Sequence, residues 1–293
     1  MYREQTRFTG CTEMLRLVIA LSFAASSISA IKIGAFNIQS FGDSKMNNPE
    51  VSTIIMKILE RYDVILIQEV RDTDLSAVET MMTELNSQWS EPIYSYVVSD
   101  TLGRDSYKER YLFVYRNDKV NVHDNYHYHD HNMYSGEDTF SREPFVVMFN
   151  APGTVIQDFV LVPLHSAPKD AVREIDALYD VYLDVVEKFQ SDNIIFLGDF
   201  NADCNYVTES DWDSIRMYNN EDFTWLIPHD VDTTAGKTDC AYDRIVISGA
   251  DLHNAIVPDS ANVFNFHKHY KLTLEQALAV SDHYPVELEL MMA

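Results

Sequence analysis

Five apolar runs in this 293-residue chain stop on side chains that can bind a cation or move a proton: Asn37, Glu69, His165, Asp199 and Asp243. The sharpest lies between Asn193 and Cys204, where Ile194 to Leu197 reach Gly198 and then deliver Asp199, Asn201 and Asp203. On an extended chain, residues two apart point the same way, so a carboxylate and a carboxamide so spaced can share one oxygen-preferring cation or phosphate. Asp282 and His283 stand just before the last apolar run. A carboxylate-bound Mg²⁺ is a Lewis acid, and imidazole titrates where a water or a leaving oxygen must exchange a proton. A carboxylate behind the ring fixes its tautomer. Together these are the requirements for hydrolysing a phosphodiester near neutral pH. Singly, each residue has a blander role: Glu69 as a solvated cap, His165 as a hydrogen-bonded structural histidine, Asp282 as turn chemistry. Recurrence at successive strand ends is what argues for a site.

The runs that position these groups read as strands at Ile31–Ile38, Val64–Val70, Tyr94–Ser99, Tyr111–Tyr115, Val120–Tyr126, Phe145–Phe149, Phe159–Leu164, from Ile194, at Trp225–Ile227, Tyr242–Ile247 and Val286–Leu290. Helical periodicity follows Pro49 (Val51, Ile54, Ile55, Ile58, Leu59), spans Leu75 to Leu85, and returns near Leu274–Val280. The longest helix carries Val172, Ile175, Leu178, Tyr179, Tyr182 and Val186 as its buried stripe. Strands outnumber helices and no Pro/Gly/Ser linker divides the chain. The expectation is one α/β domain over residues 31–293, with mixed sheets packed face to face and helices outside. The likeness of Val64–Glu69 to Ile194–Asp199 suggests two related halves.

Arg16, the apolar Leu17–Ala25 and the small residues up to Ala30 form the pattern of a secretory leader, too short to span a membrane. Met14 is a candidate start, and the mature chain is expected to begin near Ile31. Cleavage removes Cys11 and leaves Cys204 and Cys240, as a disulfide in an oxidising compartment or as two buried thiols. A bridge would close a loop of roughly 35 residues and contribute about 4 kcal/mol. The net charge of -24 argues against a generic nucleic-acid binder, unless divalent cations and a few arginines face the polyanion. His123, His127, His129 and His131 read as a solvated, His-rich loop, since no partnering cysteine or His-Glu-x-x-His pattern supports zinc.

Several blocks then carry a resemblance: Ile31 to Ile38, Ile67-Gln68-Glu69-Val70-Arg71, Ser106 to Tyr111, Ser141 to Pro144, Leu164 to Pro168, Gly198 to Cys204, Cys240 to Arg244, and Ser281 to Pro285. In order along the chain, they resemble the secreted deoxyribonuclease I branch of the endonuclease/exonuclease/phosphatase superfamily. That resemblance implies a four-layer sandwich of two packed mixed β-sheets flanked by helices. It implies a monomeric, secreted endonuclease acting on double-stranded DNA, with little sequence specificity and no membrane partner. His165 and His283 would be the acid/base pair, oriented by Glu109 and Asp243, with Asp199 in the same catalytic cluster. Glu69, Asn37 and Asp282 would hold Mg²⁺ (or Mn²⁺). Arg71 would enter the minor groove, and Tyr107, Arg142, Asn201 and Tyr206 would contact the DNA backbone.

Structural Ca²⁺ sites are implied at Asp130, Asp138, Phe140 (through its carbonyl) and Glu143, and at Asp232, Thr234 and Thr238, the second weakened by Gly236. The sequence departs from the branch at His131–Ser135, which lacks a small disulfide loop, and at Gln39, which replaces a basic residue. A bulky Phe145 stands where actin-binding relatives carry a small residue, so weak or absent actin binding is expected. Two other readings stand beside the nuclease: a phosphoesterase of the same superfamily acting on sphingomyelin or an inositol phosphate, and a secreted binding protein without turnover.

Overall fold

The computed structural model describes residues 30–130 and 138–293; the leader pattern and the His131–Ser135 loop lie outside the described residues. Among the described residues, twelve strands form two sheets. The first contains β1 (Ala30–Phe41), β2 (Val64–Val70), β3 (Tyr94–Val98), β4 (Arg110–Arg116), β11 (Asn262–Val263) and β12 (Val286–Met291), in the order β11-β12-β1-β2-β4-β3. The second contains β5 (Asn121–His127), β6 (Phe145–Asn150), β7 (Asp158–Pro163), β8 (Ile194–Asp199), β9 (Phe223–Trp225) and β10 (Asp243–Ser248), in the order β5-β6-β7-β8-β10-β9. Each sheet has a single parallel pair, β1 with β2 and β7 with β8. The two sheets therefore repeat one topology strand for strand, the C-terminal β11 and β12 completing the first.

Period-two alternation decides which side chain meets which layer. Ile31, Ile33 and Ala35 of β1, Val64 and Leu66 of β2, and Ile195 and Leu197 of β8 fill the core between the sheets, with Val147 and Phe149 of β6. Phe36, Ile38, Ile65 and Ile67 face outward onto α2 (Pro49–Leu59), α3 (Ser76–Asn86) and α7 (Leu274–Val280). Ile194 and Phe196 face outward onto α4 (Ala171–Phe189) on the other side. The result is helix, sheet, sheet, helix. The short α1 (Asp43–Met46), α5 (Ala250–Ala255) and α6 (Phe266–His269) fill connections. Helix α2 starts as its sequence demands: the Asn48 side chain accepts from Glu50 N and Val51 N, and Pro49 occupies the first turn.

Several boundaries differ from expectation. The strand expected at Trp225–Ile227 is Phe223–Trp225. Leu226 N still donates to the Ile245 carbonyl, while the Ile227 carbonyl accepts from the Arg244 guanidinium. Strand β1 continues past Ile38 through a bulge to pair Phe41 with Val70. The most buried line of α4 is Ala171, Ile175, Leu178, Val181 and Val185, with Val172, Tyr179, Tyr182 and Val186 flanking it. His123 and His127 belong to strand β5, not to a loop.

Candidate active site at the ends of both sheets

The strand ends that the sequence singles out converge. Glu109 lies just before β4 of the first sheet, while His165 follows β7 of the second; their Oε1 and Nδ1 atoms are 2.6 Å apart. Asp243 opens β10 of the second sheet, while His283 precedes β12 of the first; Asp243 Oδ2 lies 2.8 Å from His283 Nδ1. Each imidazole is thus oriented by a carboxylate from the opposite sheet. Both rings aim Nε2 at one atom, Asp199 Oδ2, at 3.6 Å from His165 and 3.5 Å from His283. Asp199 Oδ2 also accepts from Asn37 Nδ2, and its Oδ1 from Asn201 N.

The electrostatics follow from burial and pairing. Burial lowers the pKa of His283, but Asp243 and Asp199 outweigh it and hold the ring well above the ordinary imidazole value. His165 is raised in the same way, burial being outweighed chiefly by Glu109. Burial raises Asp199, yet the two imidazoles bring its carboxyl below the usual range. Burial likewise raises Glu109, which His165 and then Arg142 bring down. Asp243 stays raised, because burial there exceeds the help from His283. These are two carboxylate–imidazole pairs around a buried third carboxylate, able to take a proton at one Nε2 and deliver one at the other.

A model of the endonuclease/exonuclease/phosphatase family matches residues 34–283. The chain belongs to that family. It is 53% identical over 279 residues to deoxyribonuclease-1 of Oryctolagus cuniculus, covering 95% of this chain and 99% of the relative. It is 55% identical over 260 residues to deoxyribonuclease-1-like 2 of Mus musculus, covering 89% and 91%. Among solved structures, a Bacteroides vulgatus endonuclease/exonuclease/phosphatase superposes with TM-score 0.60 at 17% identity, covering 90% of this chain and 100% of that one. That last likeness shows the fold alone.

The other residues expected at the site divide by what surrounds them. Asn37 Oδ1 and Asp282 Oδ1 are buried without a hydrogen-bond partner, as oxygens awaiting a cation would be. Glu69 sits at φ 56, and its Oε2 accepts from Ser40 N and the Tyr107 hydroxyl. Gln39 donates to Asp282 Oδ2, so the residue standing for a base braces a candidate ligand. The Arg71 guanidinium stacks 4.0 Å from the Tyr107 ring centroid. Tyr206 is 38% exposed and packs on Tyr242. Arg142 and Asn201 turn inward: Arg142 donates to the His165 and Ser166 carbonyls and pairs with Glu109, and Asn201 Nδ2 donates to the Ser166 carbonyl.

Carboxylate oxygens of Asp130, Asp138 and Glu143 lie within 4.8 Å of one another. The Oδ1 atoms of both aspartates are buried and unpartnered, while Asp130 Oδ2 accepts from Thr139 N and Phe140 N. That donor set suits Ca²⁺. The Asp232 loop is closed on itself instead: Asp232 Oδ1 accepts from Thr234 and Cys240, and Thr238 donates to Thr234 Oγ1. Cys204 and Cys240 are joined as a disulfide. Phe145 is 2% exposed, packed on Phe113 and under His127.

Some participants carry no sequence signal of their own. The Tyr111 hydroxyl accepts from His165 N, Thr233 Oγ1 donates to Asp243 Oδ2, and Ser281 Oγ donates to the Asn37 carbonyl. Gln68 spans the two sheets. Such residues contact backbone or an already paired carboxylate, and residue type and spacing do not report that.

Proposed function

We propose that this chain is a secreted, divalent-metal-dependent endonuclease that hydrolyses phosphodiester bonds of double-stranded DNA with little sequence preference. The observation that carries this reading is the convergence of both imidazole Nε2 atoms on Asp199 Oδ2. Long relatives named deoxyribonuclease-1 support the choice of DNA. The leader pattern and the disulfide support secretion.

Glu109 and Asp243 keep the Nδ1 proton of each ring, leaving Nε2 to face substrate. One imidazole takes a proton from the attacking water at Nε2; the other gives its Nε2 proton to the departing oxygen. Mg²⁺ or Mn²⁺ held by Asn37, Glu69 and Asp282 would polarise the phosphorus and neutralise developing charge. Asp199 holds the two rings in register and, with Asn37, shapes the phosphate position. Arg71, Tyr107 and Tyr206 offer one cation and two ring hydroxyls to the backbone and groove, which reads DNA by shape. Ca²⁺ would tie Asp130, Asp138 and Glu143 together beside the start of β6.

The test is supercoiled-plasmid nicking by the mature chain, Ile31 to Ala293, with Mg²⁺ plus Ca²⁺, with EDTA, and with His165→Ala. Nicked circles that require metal and vanish in the variant are expected. A folded, metal-loaded protein that leaves plasmid intact, or that turns over sphingomyelin or an inositol phosphate instead, overturns the reading.

A further inference from the structure

The inward-facing residues of β2 are Val64, Leu66 and then Gln68; those of β8, its counterpart in the other sheet, are Ile195, Leu197 and then Asp199. Gln68, near the end of β2, and Asp199, at the end of β8, meet across the gap between the sheets. Gln68 Oε1 accepts from Asp199 N at 2.9 Å, and its Nε2 donates to the Leu164 carbonyl at 2.7 Å. Gln68 is fully buried. One carboxamide from the first sheet therefore satisfies two backbone groups of the second, one at Asp199 itself and one immediately before His165.

The neighbouring residue confirms that space is reserved for this contact. Gly198 has φ +125, and a Cβ there would lie 2.5 Å from Gln68 Nε2 and 2.6 Å from the Leu164 carbonyl oxygen. The chain meets Gln68 only with glycine at that position.

We propose that Gln68 is a positioning residue for catalysis: it sets the register between the sheets at the point where Asp199 and His165 face each other. It touches no substrate. It acts through the Asp199 amide and the Leu164 carbonyl, whose strands β8 and β7 of the second sheet deliver Asp199 and His165 to one phosphate. This inference rests on the nuclease reading. A side chain in this role controls transition-state geometry and not the DNA-binding surface, so its loss falls on kcat and spares KM. Misplacement by about 1 Å is enough for about a 100-fold loss.

The experiment is steady-state nicking by the parent, Gln68→Met, which keeps length and loses both hydrogen bonds, and Gln68→Asn, which keeps the amide and falls short. Near-UV circular dichroism reports folding. The expected result is folded variants with kcat lowered about 100-fold, Gln68→Met the more affected, and KM for DNA within about twofold of the parent. An active parent with folded variants of parental kcat, or with the loss carried by KM, overturns the positioning role alone. Failure of both variants to fold makes Gln68 a fold-holding residue and overturns it too. A folded parent that does not nick DNA overturns the nuclease reading itself.

Discussion

Glu109 and His165 come from different sheets, yet their side chains meet at 2.6 Å. Asp243 and His283 repeat the arrangement with the sheets exchanged. Neither acid/base group is complete within one half of the molecule. The packing of sheet on sheet assembles both at once, and Asp199, central to the two, is held by Asn37 and Gln68 of the opposite sheet.

Glu109 also pairs with Arg142 at 2.7 Å, so its removal strands a buried guanidinium as well as freeing a ring. Glu109→Gln keeps the shape and loses the charge that holds His165 in its tautomer. Its kcat for plasmid nicking is expected to fall about 100-fold or more, with stability to urea lower by about 3 kcal/mol. Unchanged kcat in folded Glu109→Gln would remove the pair from the chemistry.

The Asp130–Asp138–Glu143 cluster predicts a stability gain on Ca²⁺ binding. Two buried carboxylate oxygens there lack partners, and a cation bound only by the folded chain stabilises by about 2.7 kcal/mol at a hundred times its dissociation constant. Thermal unfolding of the parent should rise with Ca²⁺ and fall with EGTA. Asp138→Asn should lose most of that response. A Tm insensitive to Ca²⁺ in the parent would refute the site.

Legibility in the sequence tracked how local each signal was. Asn37, Glu69, His165 and Asp199 stood out because an apolar run closing on a polar group is a pattern of neighbours, whereas Asp243 opens its strand. The likeness of the Val64 and Ile194 strands pointed to two halves, and the repeated strand order supports it. The contact that Gln68 makes with the Asp199 amide was not legible there, because it joins strands of different sheets. The inward turn of Arg142 was equally hidden: its acceptors are carbonyls at His165 and Ser166.

Glu287 sets a pH dependence remote from the site. It is buried on β12, accepts from the Tyr62 hydroxyl, and pairs with Lys32 and Arg61. Burial raises its carboxyl, but hydrogen bonding from Tyr62 and the charges of Lys32 and Arg61 bring it below the ordinary glutamate value. The unfolded chain then binds this proton more readily, so stability rises with pH across the interval between the folded and unfolded values. The contribution is full above the unfolded pKa, about 4.3, and is lost as pH falls through the folded one. Glu287→Gln should cost about 2 kcal/mol at neutral pH and flatten the acid limb of the urea midpoint against pH. A parallel acid limb in the variant would assign the slope to other carboxylates.

Arg71 and Tyr107 share one stack but make separable contributions. The guanidinium lies over the ring, whereas the hydroxyl donates to Glu69, and burial and the Glu69 charge push that phenol up to about 12. Arg71→Ala should weaken DNA binding, measured by anisotropy without turnover, and reduce the slope of log affinity against log salt by about 0.9. Arg71→Lys should restore that slope without restoring full affinity, since an ammonium keeps the charge and loses the planar stack. Tyr107→Phe keeps the ring under Arg71 and releases Glu69. Its salt slope should therefore match the parent, while the Mg²⁺ concentration for half-maximal nicking changes. An unchanged metal requirement in Tyr107→Phe would separate Glu69 from the tyrosine. A parental salt slope in Arg71→Ala would take Arg71 out of the DNA interface.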